Sequence, residues 1–215
     1  MHTDQSGFSV RFIFIRHGEA QWNADGKYLG ITDLPLNEKG MEQARALGKR
    51  FEGIHVDAVY SSPLQRAYDT AMAVAGPKGL EVQTLPGMRE IDYGDWEGHT
   101  ISENRALYGD PFEDYRRDPF TYPLSGEGSQ GRALLRVGQC MEDLKAQYRG
   151  SGKTLAVVSH GGILKLALFW LLGISPRLYR CIELENTSLT IVDVNEDRTI
   201  LRRLNDAHHL HPDGL

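Results

Sequence analysis

Two histidines stand where a catalytic site is expected, because each follows a short apolar run. His17 follows residues 10–15 (VRFIFI) after one residue, Arg16, and His160 comes directly after residues 154–159 (TLAVVS). Short runs of this kind, rich in β-branched or aromatic residues, predict strands buried on both faces of a parallel sheet. Ligands of open α/β sheets bind beyond the carboxyl ends of the strands. Both imidazoles are therefore expected at one edge of the sheet, within reach of a bound ligand.

Cationic groups accompany these histidines. Arg16 immediately precedes the first of them, and Arg66 lies just inside a predicted helix that follows the predicted strand 57–61. Gly161 opens the helix after the second histidine, and the free amides of a helix N-terminus can face an anion. Guanidinium groups bind phosphate oxygens through two parallel hydrogen bonds. Together these groups predict a pocket for a dianion such as a phosphate monoester.

The chemistry that suits such a pocket is phosphoryl transfer with a histidine nucleophile. Phosphate monoesters hydrolyse very slowly without a catalyst, so positive donors must stabilise the transferring group. The attacking imidazole must be neutral, and we expect neighbouring arginines to favour that form. The leaving oxygen needs a proton, for which Glu90 is the first candidate. Glu19, Asp92 and Glu97 are nearby acids that could serve instead.

The elements that position these residues alternate between strands and helices. We predict strands at 10–15, 57–61, 80–84, 154–159, 188–194 and 199–204, and helices at about 38–51, 63–75, 130–148 and 162–172. This order predicts an α/β fold, a three-layer α/β/α sandwich whose mostly parallel sheet has one antiparallel strand. Residues 86–128 are rich in Gly, Pro, Asp and Tyr and predict an irregular cap insertion with two short helices.

Local sequence signals predict where two of the helices begin. Asn37 is expected to cap the helix over 38–51, on which Met41, Ala44, Leu47 and Phe51 share one face at helical spacing. Pro63 suits the first turn of the next helix.

Length and composition limit the protein class. The 215 residues fit a single domain, 1–215, and the net charge of -5 argues against a nucleic-acid partner. No apolar run reaches the ~20 residues that span a membrane, and the N-terminus lacks the pattern of a signal peptide. Two cysteines, Cys140 and Cys181, cannot form a disulfide framework, so we expect a cytoplasmic protein. The oligomeric state stays open, a homodimer included.

Six motifs in order carry a family resemblance over nearly the whole chain. They are Arg16-His17-Gly18-Glu19, Trp22-Asn23, residues 36–40 (LNEKG), residues 61–67 (SSPLQRA), residues 94–98 (GDWEG) and residues 159–162 (SHGG). The sequence resembles the histidine phosphatase superfamily, also called phosphoglycerate mutase-like, and within it the small bacterial phosphatases such as α-ribazole and broad-specificity phosphatases. One departure lies at 125–129, where relatives often carry Gly-Gly-Glu-Ser and this chain has SGEGS.

The resemblance implies a function and a set of roles. It implies a metal-independent phosphomonoesterase that needs no cofactor and acts on a small-molecule substrate through a phosphohistidine. His17 would be the nucleophile and Glu90 the proton donor. The groups that bind the phosphoryl group would be Arg16, Arg66 and His160, with further substrate contacts from Asn23, Gly161, Tyr93 and Arg116.

Two other functions remain open at this point. A cofactor-dependent phosphoglycerate mutase uses the same histidine, and Tyr93 and Arg116 resemble features of that branch. Against it, the chain is short, and Gly162 stands where asparagine is expected. A regulatory domain that binds a phosphate ligand without turnover is the third hypothesis. Every catalytic position is filled in this sequence, which argues against that domain.

Other features favour structural interpretations. Residues 150–154 (GSGKT) suggest a phosphate-binding loop, but they precede a predicted strand and lack the first glycine, so we predict a turn. His208, His209 and His211 are too close to the terminus and too irregularly spaced to predict a metal site. Asn23 could cap a loop instead of binding substrate.

Overall fold

A single six-stranded sheet organises the chain in the computed structural model, which describes residues 8–211. Residues 1–7, on which the expectation of no signal peptide mainly rests, lie outside the described residues, as do residues 212–215. The strands run in the order β3-β2-β4-β1-β5-β6. They are β1 (Val10–Arg16), β2 (Ala58–Ser61), β3 (Val82–Thr84), β4 (Lys153–Ser159), β5 (Leu189–Val194) and β6 (Thr199–Asp206). Only β5 runs against the others, which confirms the predicted sheet.

Helices cover both faces of this sheet. They are α1 (Gln21–Ala24), α2 (Glu38–Phe51), α3 (Gln65–Ala75), α4 (Ile101–Tyr108), α5 (Asp110–Arg117), α6 (Gln130–Gln147) and α7 (Gly161–Leu172). Alternate residues of β1 face opposite layers, since side chains of a strand alternate. Ile13 and Ile15 pack with α2 and α3, whereas Phe12 and Phe14 pack with α6 and α7. The three-layer architecture is therefore confirmed.

The start of α2 follows its sequence signal, whereas other local expectations were wrong. The side-chain oxygen of Asn37 accepts a hydrogen bond from the Gly40 amide at 2.8 Å, as expected of an N-cap. Met41, in contrast, is 45% exposed and does not share the buried face. Pro63 lies before α3, which begins at Gln65. The short helix α1 was not among the predicted helices.

The cap, residues 86–128, packs into the domain rather than standing apart. Its two helices are α4 and α5, and its aromatic residues Trp96, Phe112 and Tyr115 belong to the same buried cluster as Phe12 and Phe14 of the sheet. The aromatic character of the cap therefore reflects core packing. No helix in the range 8–211 is long and apolar enough to cross a membrane.

The segment 125–129, which departs from the family pattern, has a structural role. The Glu127 side chain is nearly buried and accepts two hydrogen bonds from the Arg136 guanidinium, each at 2.9 Å. Arg136 lies on α6 and also donates to the backbone of the cap at Gly87 and Arg89. This ion pair thus fastens the cap to α6. It does not line the main cleft described below.

Candidate active site

The two histidines meet because β1 and β4 are neighbours in the sheet. Arg16 pairs with Ser159 in the parallel register, so the residues that follow them leave the sheet side by side. The backbone amide of His17 donates to the Ser159 carbonyl at 2.9 Å. The imidazole centroids of His17 and His160 lie 5.0 Å apart in an edge-to-face arrangement. Strand order and register thus bring together two residues that are 143 positions apart in the sequence.

The ring of His17 is held in one orientation by partners on both nitrogens. Nδ1 lies 2.6 Å from the carbonyl oxygen of Gly18, which can only accept, so Nδ1 carries the proton. Nε2 is then the unprotonated nitrogen, and it accepts from Nε of Arg66 at 3.3 Å. The backbone carbonyl of His17 accepts from the side-chain amide of Asn186 at 2.8 Å. The free lone pair of the imidazole therefore resides on Nε2.

The two arginines differ in how they are fixed. Arg66 is fully buried, and its terminal nitrogens donate to the carbonyls of Thr32 and Gly30, which leaves Nε directed at the histidine. Arg16 donates one bond to the Leu184 carbonyl at 2.6 Å. Its Nε is buried without a hydrogen-bond partner in the described part of the chain. Arg16 therefore keeps free donors for a phosphoryl oxygen.

Burial and positive charge keep both imidazoles neutral. The pKa of His17 is lowered well below its usual value by burial and then by the charges of Arg66 and Arg16. The pKa of His160 is lowered well below its usual value by burial, by Arg66 and by His17. A neutral His17 can act as a nucleophile without first losing a proton. The electrostatics thus agree with the expectation that the arginines favour the neutral imidazole.

His160 caps helix α7 from a buried position. Its Nε2 lies 2.8 Å from the hydroxyl of Ser62, at the end of β2, whereas Nδ1 has no partner within residues 8–211. An unpaired buried nitrogen costs free energy unless a ligand or water satisfies it. This nitrogen is therefore available to a phosphoryl oxygen bound between the histidines.

Glu90 lies at the same site with its carboxylate held by backbone amides. Oε1 accepts from the Ile91 amide at 2.9 Å, and Oε2 accepts from the Gly162 amide at 3.2 Å. Burial raises the pKa of the Glu90 carboxyl, and these two amides with Arg66 and Arg16 oppose the shift only in part. A raised pKa keeps a larger fraction of the carboxyl protonated, as a proton donor requires.

The other acid next to the nucleophile has a structural role. Glu19 accepts from the side-chain amide of Asn37 at 2.9 Å and pairs with Lys39 at 3.2 Å. These partners lower the pKa of Glu19 despite the opposing effect of burial. Glu19 is therefore ionised and unsuited to donate a proton, which leaves Glu90 as the acid that the geometry favours.

A cleft of about 890 Å³ opens onto this site. Its walls come from β1, the segment 19–29, α2, the start of α7 and the C-terminal residues His209, Leu210 and His211. His17 and Glu90 line it, although His17 is only 3% exposed. Arg66 and His160 are fully buried and do not line the cleft. Both contact the imidazole of His17, Arg66 through its Nε and His160 through an edge-to-face contact of the rings.

The four expected substrate contacts lie in different places. Asn23 lines the cleft while its side-chain oxygen accepts from the Ala20 amide at 3.0 Å, so it is also the loop cap considered above. Gly161 lines the cleft beside Arg16, whose Nε would lie 3.4 Å from a Cβ there. Tyr93 forms part of the cleft wall. Arg116 instead lines a separate cavity of about 160 Å³ behind Tyr93.

Sequence reasoning missed several cleft residues. Lys165 is the only charged residue of α7 and lines the cleft one turn beyond Gly162, a signal that was visible in the sequence. Asn186 and His209 reach the site from the C-terminal part of the chain, for which only the fold provides a signal. No group of three or more His, Cys, Asp or Glu side chains that could hold a metal ion occurs within residues 8–211.

Fold and site together define an enzyme of phosphoryl transfer, and the comparisons identify its family. The model of the histidine phosphatase superfamily (branch 1) matches residues 12–207. The chain therefore belongs to the histidine phosphatase superfamily, and it is a phosphoric monoester hydrolase.

Relatives and solved structures agree with this assignment. Phosphoserine phosphatase 1 of Hydrogenobacter thermophilus is 32% identical over 94% of each chain. The adenosylcobalamin/alpha-ribazole phosphatase of Escherichia coli is 33% identical over 91% of this chain and 96% of the relative. The structure of phosphoserine phosphatase from Entamoeba histolytica with 3-phosphoglyceric acid has a TM-score of 0.82 and 36% identity, and the match covers 94% of this chain and 99% of that one.

Proposed function

We propose that this phosphomonoesterase acts in two steps through a phosphohistidine at His17. In the first step, Nε2 attacks phosphorus as the ester P–O bond breaks, and Glu90 gives its proton to the leaving oxygen. In the second step, water attacks the phosphorus as the N–P bond breaks. The Glu90 carboxylate then takes a proton from that water, so inorganic phosphate leaves and both residues return to their starting forms.

The orientation of the nucleophile is the observation that carries this proposal. The bond between Nδ1 and the Gly18 carbonyl leaves only Nε2 unprotonated, and Nε2 is the nitrogen beside the Arg66 guanidinium. A phosphoryl group attached there would contact the free donors of Arg16 and the unpaired nitrogen of His160. Cationic donors that meet the charge of the transferring group are the main source of catalysis in such reactions.

The mutase and the non-catalytic domain are not favoured. The asparagine that a mutase would carry in place of Gly162 would require Glu90 to move, since a Cβ at that position would lie 2.6 Å from Oε1 of Glu90. A binding domain would not require a neutral, oriented nucleophile together with an acid of raised pKa. The named activities of the relatives support small phosphomonoesters such as phosphoserine and α-ribazole phosphate as candidate substrates.

The test compares His17→Ala with the unmodified enzyme, using p-nitrophenyl phosphate in the presence of a chelator. We expect the variant to lose turnover entirely and the unmodified enzyme to keep it, since the proposed chemistry needs no metal or cofactor. His55→Ala is the matched control, because His55 is exposed and remote from the cleft. Rapid quenching followed by mass spectrometry should detect phosphate on the peptide that contains His17. Substantial turnover in His17→Ala would exclude the covalent mechanism.

We propose the cytoplasm as the cellular setting. Cys140 and Cys181 are both free, which supports a reducing compartment and thus the cytoplasm. The net charge of -5 supports the absence of a nucleic-acid partner, and a homodimer is a further proposal. Analytical ultracentrifugation, with and without a DNA duplex, tests both partner proposals. A monomer, or co-sedimentation with DNA, would reject the corresponding one.

A further inference from the structure

Lys165 is a partly buried charge that the proposed reaction does not use. It is the only charged residue in α7, where most of its neighbours are buried aliphatic side chains. Its ammonium lies 3.8 Å from the centroid of the Tyr179 ring and lines the catalytic cleft. The lysines that form ion pairs within residues 8–211 are Lys39 and Lys145, so Lys165 has no anionic partner in the described part of the chain.

The position of Lys165 indicates that it would lie near the organic part of the substrate, beyond the leaving oxygen. Gly162 donates its amide to Glu90, the proposed donor to the leaving oxygen. Lys165 lies three residues further along, hence on the same face of α7 and about 4.5 Å along the helix axis. The leaving oxygen connects the phosphoryl group to the organic part of the substrate. The ammonium is therefore placed to meet a group a few bonds beyond that oxygen.

The charge of Lys165 indicates which group it would meet. Removing an ammonium from water without a partner costs free energy, and a bound anion can compensate that cost. The ammonium is a compact point charge, which suits a singly charged anion such as a carboxylate. Glu183 lines the same cleft, and its charge would repel a dianion such as a second phosphate more strongly than a singly charged carboxylate. A neutral group would leave the ammonium with only the longer-range attraction of Glu90 and Glu183.

We propose that Lys165 binds a carboxylate on the organic part of the substrate, so that the preferred substrates are phosphomonoesters with a carboxylate a few bonds from the ester oxygen. This inference rests on the proposed function, because the position of Lys165 is described relative to Glu90, the proposed proton donor to the leaving oxygen. It deepens that function by separating carboxylated phosphoesters from sugar phosphates and other neutral esters as substrates.

Two pairs of substrates isolate the carboxylate. Phosphoserine and phosphoethanolamine differ only in that group, and 3-phosphoglycerate and glycerol 3-phosphate differ by a hydroxymethyl in its place. We expect the unmodified enzyme to favour the carboxylated member by about tenfold to a hundredfold in kcat/KM, the range of one charge-assisted hydrogen bond. Lys165→Met should reduce that ratio to about one, mainly through KM. Lys165→Arg should restore most of it, and Lys145→Met, a surface control on α6, should keep it.

Other results overturn the inference. Equal use of both members by the unmodified enzyme would reject a carboxylate subsite. Equal loss on both members in Lys165→Met would show that Lys165 acts through Glu90 or through packing on Tyr179. Selective loss on a bisphosphorylated ester alone would assign the subsite to a second phosphate and so reject the carboxylate.

A binding measurement separates this inference from the proposed function. Calorimetric titration of His17→Ala with the same four compounds reports affinity without turnover. The inference requires tighter binding of the carboxylated members and loss of that preference when Lys165→Met is added. Absence of phosphate release from every compound by the unmodified enzyme would reject the proposed function. Absence of any affinity difference would reject the carboxylate subsite.

Discussion

At the scale of single residues, the site depends on opposite effects of burial on its acid and its base. Burial disfavours whichever form is charged, so it favours the unprotonated His17 imidazole and the protonated Glu90 carboxyl. Each group is thereby poised in the form that the first step consumes. Arg66 reinforces the effect at His17 and opposes it at Glu90. The enzyme therefore needs little proton rearrangement before attack.

Removing the acid should slow the reaction according to the leaving group. Glu90→Gln keeps the shape of the side chain but cannot deliver a proton, so hydrolysis of an alkyl phosphate should fall by about 10²- to 10⁴-fold. Hydrolysis of p-nitrophenyl phosphate should fall far less, since p-nitrophenolate leaves without a proton. Steady-state kcat for both substrates measures the difference. An equal loss on both substrates would mean that Glu90 positions the substrate and is not the acid.

The same two pKa shifts predict the pH profile of kcat/KM. In the proposed mechanism the acid is protonated Glu90, so activity should decline as pH rises through its raised pKa. The required nucleophile is neutral His17, so activity should persist well below the usual pKa of histidine and decline only at lower pH. The decline on the alkaline side should be clear for an alkyl phosphate and weak for p-nitrophenyl phosphate, whose leaving group needs no proton. A decline centred near pH ~6.5 on the acidic side, where free histidine titrates, would contradict the lowered pKa of His17.

At the scale of elements, the C-terminal segment contacts the part of the backbone that leads into His17. The two ring nitrogens of His209 contact different elements. Nδ1 lies 3.1 Å from the guanidinium of Arg50 on α2, and Nε2 lies 3.0 Å from the hydroxyl of Thr187. Thr187 has a left-handed backbone with φ of 58°, which is costly for a β-branched residue. Its amide donates to the carbonyl of Arg16 at 2.8 Å. The end of the chain thus helps to hold the strand that carries the nucleophile.

This contact should make stability depend on pH. Burial and the Arg50 charge lower the pKa of His209 to about 4, whereas unfolded histidine titrates near ~6.5. The unfolded state therefore binds more protons between these values, so stability should fall as pH drops from about 6.5 to about 4. His209→Gln places a hydrogen-bonding amide near the position of Nε2, which faces Thr187, without titrating, and should flatten this dependence. Urea midpoints across the window measure it, with His55→Gln as the exposed control. Parallel curves for the two variants would reject the prediction.

Helices and strands were predictable where the sequence signal depended on residues close together in the chain. Asn37 caps α2 as expected, because its side chain bonds an amide three residues away. Met41 was misplaced because the packed face of α2 centres on Gly40 and Ala44, which lets the backbone approach the segment at Glu19. The strand-end histidines were found from sequence for the same local reason. Lys165 was overlooked as a site residue, and His209 could be placed only by the fold.

At the scale of the whole molecule, the cap and the sheet share one core. Phe112 of α5 is fully buried and packs against Trp96 at a centroid distance of 5.3 Å and against Tyr28 at 5.7 Å. Tyr28 lines the catalytic cleft, so the cap reaches the site through buried side chains. Glu90, Tyr93 and Ile101 are the cap residues that line the cleft, and none from 102 to 128 does. The rest of the cap therefore shapes the cleft by supporting its wall.

A shared core predicts that cap and sheet unfold together. Phe112→Ala removes a buried ring from the cap and should lower the free energy of unfolding of the entire domain by about 3–5 kcal/mol. Far-ultraviolet circular dichroism reports the sheet and its helices, and the fluorescence of Trp96 contributes a signal from the cap. Both probes should shift together in urea, in one transition. Leu135→Ala, at a position 64% exposed on α6, should change stability by less than about 0.5 kcal/mol. A change of fluorescence in an earlier transition, with the circular dichroism still native, would mean that the cap is a separate unit. The cleft wall at Tyr28 could then open without unfolding the sheet.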